Sequence, residues 1–311
     1  MRIALLCATQ RGYRFLKRLS ALRPQDDIVV FSFREDPWEP PFIDDIRTFA
    51  DSRGYLFIET KRTNSPLLAD FWSNVELDLM LVVSWRYLIP PEIYQKPSSG
   101  TFVFHDSLLP EYRGFSPTVW AIINGSDHTG VTLFEIAVDV DSGDIIDQQR
   151  VEILEDDTIA EVMEKVTQVY LEILEHNLDR LLSCTAPRTP QDHSSATYTC
   201  KRYPEDNQID WKDNSERIYN LIRAVSQPYT GAFTSLGQQR LYIWSAKRMT
   251  NLQYIGSIPG RVVKVIPQVG SVILTGDHPL LLTQVQLENE DIRCAADVLN
   301  SINLTLGFMN E

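Results

Sequence analysis

The sequence predicts an α/β fold in which a doubly wound parallel sheet is followed by a smaller β-rich domain. In the first part of the chain, short apolar runs alternate with stretches of helical spacing, as in strands joined by crossover helices. In the last third, short strand-like runs are separated by turns marked with glycine, which is typical of a small open barrel. The 311 residues, of which 43% are hydrophobic, suffice for two cores of ordinary domain size.

Five apolar runs are predicted as the first strands of the sheet, at residues 3–7, 28–33, 55–58, 79–84 and 101–104. A helical stripe from Phe15 to Leu22 joins the first two, and Thr9–Gly12 is predicted as the turn before this helix. A dinucleotide-binding fingerprint needs three glycines at such a turn, and only Gly12 is present. A nicotinamide or flavin nucleotide held in the usual way is therefore not expected.

The first domain is predicted to continue with two more strands, at residues 131–136 and 145–151. The turn sequence Asp141-Ser-Gly-Asp144 lies between them, which places Asp141 on a loop. Thr158 and Glu161 have the spacing of a capping box, and a helical stripe follows them to about residue 183. We expect this helix to close a first domain that covers residues 1–186.

The composition changes after the predicted long helix. Residues 187–203 are rich in Pro, Ser and Thr and lack periodicity, so we predict a surface linker there. The second predicted domain covers residues 204–311 and begins with a helix at Ile218–Val225. Its strands are predicted at residues 241–244, 261–266, 271–274 and 280–287.

The net charge of −13 is confined to the first part of the chain. Residues 1–186 contain 17 Lys and Arg against 30 Asp and Glu, whereas residues 187–311 contain 12 of each kind. An acidic domain repels a phosphate backbone and a neutral one supplies no long-range attraction for it. We therefore expect small-molecule substrates, and an RNA substrate is disfavoured but stays open.

The cysteines and the hydropathy of the sequence indicate the cellular compartment of the protein. Cys7, Cys184, Cys200 and Cys294 form no close pairs and have no histidine at metal-ligand spacing, so neither a disulfide framework nor a metal site is expected. No apolar stretch approaches the roughly 18 residues of a spanning helix, and the apolar start is too short for a signal peptide. We expect a cytoplasmic protein without a membrane partner.

One imidazole and one carboxylate are framed by turn-forming sequence. His105 directly follows the fifth predicted strand, and Asp141 lies in the predicted loop. A neutral imidazole titrates near working pH, and a nearby carboxylate can fix its tautomer. This pairing can move a proton off an attacking amine, so we predict an acyl-transfer site built on loops.

Linked motifs carry a resemblance to a known family. Four occur in order in the first domain: His105-Asp-Ser-Leu-Leu-Pro-Glu-Tyr-Arg-Gly114, Trp120-Ala-Ile-Ile-Asn-Gly125, Thr129-Gly-Val-Thr132 and Asp141-Ser-Gly-Asp144. They resemble the core signature of folate-dependent formyltransferases. Four later segments are similar to the second domain of amino-sugar and methionyl-tRNA formyltransferases: Lys201–Asp206, Ile209–Trp211, Ile222–Val225 and Gly231–Phe233. The resemblance implies a Rossmann-like catalytic domain and a smaller OB-like β-barrel domain.

The resemblance also implies the reaction, which is transfer of a formyl group from N10-formyltetrahydrofolate to an amine without a metal. His105 and Asp141 match the family's catalytic histidine and aspartate. Val103 stands where the family usually has asparagine, and loss of an oxyanion donor typically lowers a rate about 100- to 1000-fold. The hydrolase-like domain of formyltetrahydrofolate dehydrogenase also resembles this sequence and has an aliphatic residue at this position.

The folate contacts implied by the resemblance come from two segments. Arg86, Tyr87 and Leu88 follow the fourth predicted strand and match the family's pterin-binding loop. Asp139 and Asp141 are expected in the opposite wall of the slot. From the residues alone, a solvated loop arginine and a core leucine are equally good interpretations of Arg86 and Leu88, and packing is the better interpretation of the Tyr87 ring.

Three residues are candidates for contact with the acceptor. Arg113 and Ser107 are close in sequence to His105, and Arg113 could clamp a phosphate or pair instead with Glu111. Arg11, on the predicted loop after the first strand, would lie where a nucleotide diphosphate is expected, although the residues alone favour a surface salt bridge there.

The second-domain segments most resemble free-standing relatives of the enzyme that formylates a nucleotide-linked 4-amino-arabinose. A nucleotide-linked amino sugar is therefore the predicted acceptor. Methionyl-tRNA, a small amine such as hydroxyornithine, hydrolysis of formyltetrahydrofolate, and a catalytically weak folate- or sugar-binding protein stay open as alternatives. A homodimer assisted by the barrel is also left open.

Overall fold

The computed structural model describes residues 1–249 and 251–307. The chain divides into two compact units, the first made of residues 1–117, 129–152 and 163–201 and the second of residues 118–128, 153–162 and those from 202 onward. Two segments predicted for the first domain thus cluster with the second unit. Within that unit, Tyr219 donates to Asp156 at 2.7 Å and Arg223 to the carbonyl of Asp157 at 2.9 Å, which accounts for part of this clustering.

The bounds of the elements follow. The strands are β1 (Arg2–Cys7), β2 (Asp27–Ser32), β3 (Leu56–Glu59), β4 (Leu79–Val83), β5 (Thr101–His105), β6 (Arg113–Gly114), β7 (His128–Glu135), β8 (Ile145–Glu152), β9 (Tyr198–Thr199), β10 (Ala232–Leu236), β11 (Gln239–Arg248), β12 (Val262–Ile266), β13 (Gly270–Ile273), β14 (Leu280–Leu287) and β15 (Arg293–Cys294). The helices are α1 (Thr9–Leu22), α2 (Ile43–Ser52), α3 (Ala69–Asn74), α4 (Pro91–Tyr94), α5 (Pro117–Ile123), α6 (Ile159–Leu182), α7 (Ser215–Ala224) and α8 (Ala295–Val298).

The first unit is organised by a seven-stranded sheet in the order β3-β2-β1-β4-β5-β7-β8. The strands from β3 to β5 pair in parallel, and β7 runs antiparallel to β5. This confirms the predicted α/β, Rossmann-like class. The strand order reverses direction between β1 and β4, and ligands of open α/β sheets bind outside the carboxyl ends of the strands near such a reversal.

The two faces of this sheet carry separate cores, because side chains alternate along each strand. On one face, Phe104 of β5 packs edge-on against Phe15 of α1 and stacks on Tyr170 of α6, with ring centroids 4.9 and 5.2 Å apart. On the other face, Val103 packs against a buried cluster that includes Trp72. Successive residues of β5 therefore enter different surroundings.

The helix after β1 starts earlier than the sequence predicts. Thr9–Gly12, predicted as a turn, forms the first residues of α1, so Arg11 is helical instead of lying on a loop. Gly12 allows this early start, since a Cβ there would meet the Cβ of Cys7 at 3.0 Å. The glycine serves close packing of α1 on β1, and α1 directs Arg11 back along the sheet.

The second unit is built on a six-stranded sheet in the order β10-β11-β14-β13-β12, with β15 paired to β14. The pairs within it are antiparallel, which confirms a separate β domain at the C-terminal side. Helix α7 begins after Asn214, whose side chain accepts from the backbone of Arg217 at 2.8 Å. The sequence analysis missed β10, because Ala232–Leu236 alternates small and polar residues with few large apolar ones.

Among the helices that the structure describes, none combines the length and the apolar character needed to cross a membrane.

Candidate active site

The carboxyl end of β5 sends two neighbouring side chains to opposite faces of the sheet. His105, its last residue, continues the face of Val103, and Asp106 continues the face of Phe104. The chain beyond them is tied to β7, where Thr129 donates to the carbonyl of Asp106 at 2.9 Å and Thr132 to that of Ser107 at 2.6 Å. The Thr129–Thr132 motif therefore anchors the chain next to His105.

His105 and Asp141 lie beside each other, as the sequence analysis requires. The His105 ring is 8% exposed, and its Nδ1 is 3.6 Å from Oδ2 of Asp141. Its Nε2 is 2.8 Å from the carbonyl oxygen of Tyr112. A carbonyl can only accept, so Nε2 carries a proton and a neutral ring leaves a lone pair on Nδ1, facing the carboxylate. Nδ1 of His105 and the Asp141 carboxylate are thus two proton acceptors that face each other, and a proton can be received between them.

Asp141 lies on a loop, as predicted, and is held in an uncommon backbone conformation. Its φ is +52°, in the left-handed region. Its Oδ2 accepts from the backbone N–H of Gly114 at 2.8 Å. Gly114 itself has a φ of +104°, and a Cβ there would meet the carbonyl oxygen of Thr199 at 2.5 Å. The Arg-Gly pair of the first motif thus supplies a backbone donor to the carboxylate.

Arg113 is buried and bonded to the predicted linker. Its Nε and one terminal nitrogen donate to Oε1 of Gln191 at 3.2 and 2.6 Å, and that nitrogen is also 3.0 Å from Nδ1 of His193. Strand β6, which contains Arg113, pairs in parallel with β9, the strand that begins at Tyr198. Glu111, considered above as one alternative partner of Arg113, is replaced in the structure by Gln191 and His193. Residues 187–203 therefore do more than connect two domains, because they support the site.

Arg11 is buried and forms an ion pair with the partly buried Asp106 on the opposite face of β5, not the surface salt bridge considered above. Its terminal nitrogen lies 2.7 Å from both carboxylate oxygens of Asp106, and its guanidinium lies 4.6 Å from the centroid of the Tyr170 ring. The Tyr170 hydroxyl also donates to Asp106. Burial raises the pKa of Asp106, but Arg11 and Tyr170 outweigh it and lower the pKa below its ordinary value. Asp106 is thus held as an anion.

Arg86, Tyr87 and Leu88 follow β4 in a loop and differ in their surroundings. Arg86 makes a bidentate pair with Glu39, with both distances 2.9 Å, and its guanidinium lies 5.0 Å from the Phe33 ring centroid. Tyr87 packs edge-on against Phe33 at 4.9 Å. Leu88 is 83% exposed. In this loop, Leu88 presents an uncovered apolar surface, whereas Arg86 is engaged with the protein.

The loop that leads to Asp141 presents a similar apolar surface. Val138 and Val140 are 85% and 52% exposed, and Asp139 between them is exposed as well. Val103, on the same face of β5 as His105, is partly buried and packs against the core cluster of that face. Uncovered valines and a leucine on the two segments assigned to the pterin suit a flat, largely apolar ring.

Ser107 lies next to the site but is committed to the protein. It is 2% exposed, and its hydroxyl donates to the carbonyl of Glu111 at 2.5 Å. This bond closes the turn that presents Tyr112 to His105. No group of three or more His, Cys, Asp or Glu side chains suited to a metal occurs among the residues described.

The sequence analysis missed the groups that act through the backbone or across long distances. The carbonyl of Tyr112 and the N–H of Gly114 carry no residue-type signal, because any residue has them. Gln191 acts on residues about 50 and 80 positions away, and it stood in a segment interpreted as a linker. Glu39 lies in a similarly irregular segment after β2.

Comparison with known protein families identifies both parts of the chain. Residues 18–178 match the model described as formyl transferase, and residues 201–303 match the model of the formyl transferase C-terminal domain.

Solved structures with the same fold share little sequence with this chain. HypX from Aquifex aeolicus in complex with tetrahydrofolic acid has a TM-score of 0.63 and 19% identity, over 96% of this chain and 47% of HypX. This chain thus spans about half the length of HypX. An N-formyltransferase from Helicobacter canadensis in complex with folinic acid and dTDP-3-aminofucose has a TM-score of 0.66 and 17% identity, over 90% and 98% of the two chains. Methionyl-tRNA formyltransferase from Clostridium thermocellum has a TM-score of 0.57 and 20% identity, over 81% and 95%.

Proposed function

Because the chain belongs to the formyl transferase family, we propose that it transfers a formyl group from N10-formyltetrahydrofolate to the amine of a nucleotide-linked sugar. The observation that carries the proposal is the arrangement of His105 and Asp141. A buried imidazole with an available Nδ1 lies 3.6 Å from a carboxylate, at the carboxyl end of a central strand. Acyl transfer to an amine requires such a proton acceptor.

The contacts of His105 support a defined path for the proton. Since Nε2–H is held by the Tyr112 carbonyl, the amine proton passes to Nδ1 as the amine attacks the formyl carbon. The imidazolium that forms then has Asp141 beside it, and the carboxylate stabilises the charge. The new C–N bond replaces the bond between the formyl carbon and N10. His105 returns the proton to N10, which completes the exchange.

Exposed apolar side chains on the two segments that the resemblance implies for the pterin support folate as the donor. They are Leu88 in one segment and Val138 and Val140 in the other. With N10-formyltetrahydrofolate bound, the formyl group is already activated by its folate nitrogen, so the protein's part is to orient the donor and to move the proton.

The nucleotide-sugar acceptor rests on charge and on relatives. An excess of 13 acidic residues in residues 1–186 disfavours tRNA. The Helicobacter canadensis structure contains dTDP-3-aminofucose, and a further structure with the same fold is a sugar 3N-formyltransferase with dTDP. Arg113 and Arg11, the candidates for contact with the acceptor, are both engaged within the protein, Arg113 by Gln191 and Arg11 by Asp106.

Val103 favours a second candidate function, release of formate by hydrolysis. A valine leaves the developing oxyanion without the amide donor that the family usually supplies, and the hydrolase-like domain of formyltetrahydrofolate dehydrogenase, which this sequence also resembles, has an aliphatic residue at this position. The two functions differ only in the nucleophile that reaches the formyl carbon.

Both functions are tested by one set of turnover assays. The protein is incubated with N10-formyltetrahydrofolate and, separately, a dTDP-linked amino sugar, hydroxyornithine, charged initiator tRNA or no acceptor. Tetrahydrofolate, formate and formylated amine are then quantified. We expect formylated amino sugar in the first reaction and a rate lowered about 100-fold or more by His105→Asn.

The alternatives give different results in the same assays. Formate production independent of any acceptor supports the hydrolase, and product with tRNA alone overturns the ranking of acceptors. Folate binding without consumption of the donor would mean a binding protein and contradict both proposals.

A further inference from the structure

Gln191, in the segment predicted as a linker, is buried and has both ends of its carboxamide engaged. It is 6% exposed. Its Oε1 accepts from Nε and a terminal nitrogen of Arg113 at 3.2 and 2.6 Å. Its Nε2 donates to the carbonyl oxygens of Asp141 at 3.0 Å and Gly143 at 2.7 Å. One side chain therefore connects the Asp141 loop to β6.

The loop that Gln191 holds has little freedom to adjust elsewhere. Asp141 has a positive φ of +52°. This backbone conformation costs free energy and persists only where the surrounding structure enforces it. Two positions on, a Cβ at Gly143 would meet the carbonyl oxygen of Glu135 at 1.7 Å, so the chain closes tightly on itself there. Hydrogen bonds to the two carbonyls of this turn fix its orientation from outside.

The same strand holds Asp141 at a second point. Gly114 follows Arg113, and its N–H donates to the Asp141 carboxylate at 2.8 Å. The backbone carbonyl of Asp141 is thus tied to Arg113 through Gln191, and its side chain is tied directly to the next residue. Two attachments to one short strand determine both the position and the rotation of the carboxylate relative to His105.

We propose that Gln191 is a positioning residue that sets the His105–Asp141 geometry by tying the Asp141 loop to Arg113. This role deepens the proposed function and rests on it. Gln191 acts through Asp141 and takes no part in proton transfer itself. A displacement of a reacting group by about 1 Å can lower a rate about 100-fold, so a small movement of this loop has a measurable effect.

The test separates the two ends of the carboxamide. Gln191→Glu keeps the volume and the acceptor for Arg113 but removes the donor to the two carbonyls, and Gln191→Ala removes both. We expect kcat to fall about 10- to 100-fold in both variants, with a smaller change in KM for the formyl donor. Wild-type kcat in Gln191→Glu would overturn the proposal.

A matched control distinguishes positioning from general loss of stability. Asn207 is a buried carboxamide in the second unit that accepts from Arg202 at 3.0 Å and donates to the carbonyl of Gly231 at 3.3 Å. Asn207→Ala is expected to lower the melting temperature without lowering kcat. An equal loss of kcat in this control would contradict a specific role for Gln191.

A second readout does not depend on turnover. The ¹⁵N chemical shifts of the His105 ring report the surroundings of Nδ1 and can be recorded across a pH titration of the intact protein. We expect these shifts to change in Gln191→Ala, which adds no charge beside His105, and to stay at wild-type values in Asn207→Ala. Unchanged shifts in Gln191→Ala would overturn the positioning role even if no acceptor were found, whereas changed shifts without formyl transfer would count against the proposed function alone.

Discussion

The two residues at the end of β5 are neighbours in sequence and differ in how tightly the protein holds them. Asp106 lies 2.7 Å from Arg11 through both oxygens and accepts a further bond from Tyr170. His105 contacts the Tyr112 carbonyl at 2.8 Å and faces Asp141 at 3.6 Å. The first side chain is fully bonded to the protein, and the second retains an available nitrogen.

This difference separates support from reactivity at a single strand end. A buried ion pair in which each partner satisfies the other is rigid, and losing one partner leaves an uncompensated charge. A proton acceptor must instead keep a lone pair available for its substrate. The sheet accommodates the ion pair and the proton acceptor at one strand end, because alternate residues of β5 enter separate cores. Each of the following predictions either disrupts one of these two faces or measures the difference between them.

The largest expected effect is on turnover, at the His105 face. Asp141→Asn removes the charge that stabilises the imidazolium but keeps an oxygen for the Gly114 N–H. We expect kcat to fall by about 100- to 10,000-fold, with the free energy of unfolding changed by less than about 1 kcal/mol. Steady-state kinetics and urea unfolding measure the two quantities. A variant that unfolds easily yet turns over normally would reverse our assignment of the two faces.

The next effect is on stability, at the Asp106 face. Asp106→Asn leaves Arg11 buried without its counter-ion, and we expect the free energy of unfolding at neutral pH to fall by about 3–5 kcal/mol. The pKa of Asp106 is lowered in the folded protein despite burial, mainly by Arg11. Its ionised form therefore stabilises the fold above the unfolded pKa of about 4, and this contribution is lost as the pH falls further.

The pH dependence gives the matching measurement. Urea unfolding at pH 7 and at several values below about pH 4 should show a steeper loss of stability for the wild type than for Asp106→Asn. Asp291→Asn, at an exposed turn in the second unit, is the control and should follow the wild-type curve. Parallel curves for wild type and Asp106→Asn would show that this carboxylate is not stabilised by its partners.

The smallest effect tests whether backbone geometry transmits support to the reactive pair. Gly114→Ala places a Cβ 2.5 Å from the Thr199 carbonyl oxygen, so β6 must shift and carry its N–H away from Asp141. Gly54 also has a positive φ, of +71°, but the Cβ that Gly54→Ala adds would meet nothing within 4 Å. We expect Gly54→Ala to lose about 1 kcal/mol of stability from the strained φ, Gly114→Ala to lose more because of the backbone contact, and Gly114→Ala alone to lose kcat, roughly tenfold. Equal kcat values for the two variants would show that the position of β6 does not affect catalysis.

The sequence predicted the parts of the fold that depend on local pattern. The apolar runs that became β1, β2, β4 and β5 were predicted within about two residues, and β14 matched the run at residues 280–287. Burial of strands and stripes of helices leave such periodic signals. The start of α1 was misplaced, because Gly12 was interpreted as a turn residue and in fact packs against Cys7.

By itself, the sequence determined the α/β class, the separate β domain, the family and the proposed pairing of His105 with Asp141. Each of these depends on residue type and order, which a linear reading retains. The tertiary structure alone decided that Arg11 pairs with Asp106, that Tyr112 fixes the His105 tautomer, and that Gln191 connects Arg113 to the Asp141 loop. These contacts join residues far apart in the chain or use backbone atoms that every residue has, so no local pattern encodes them.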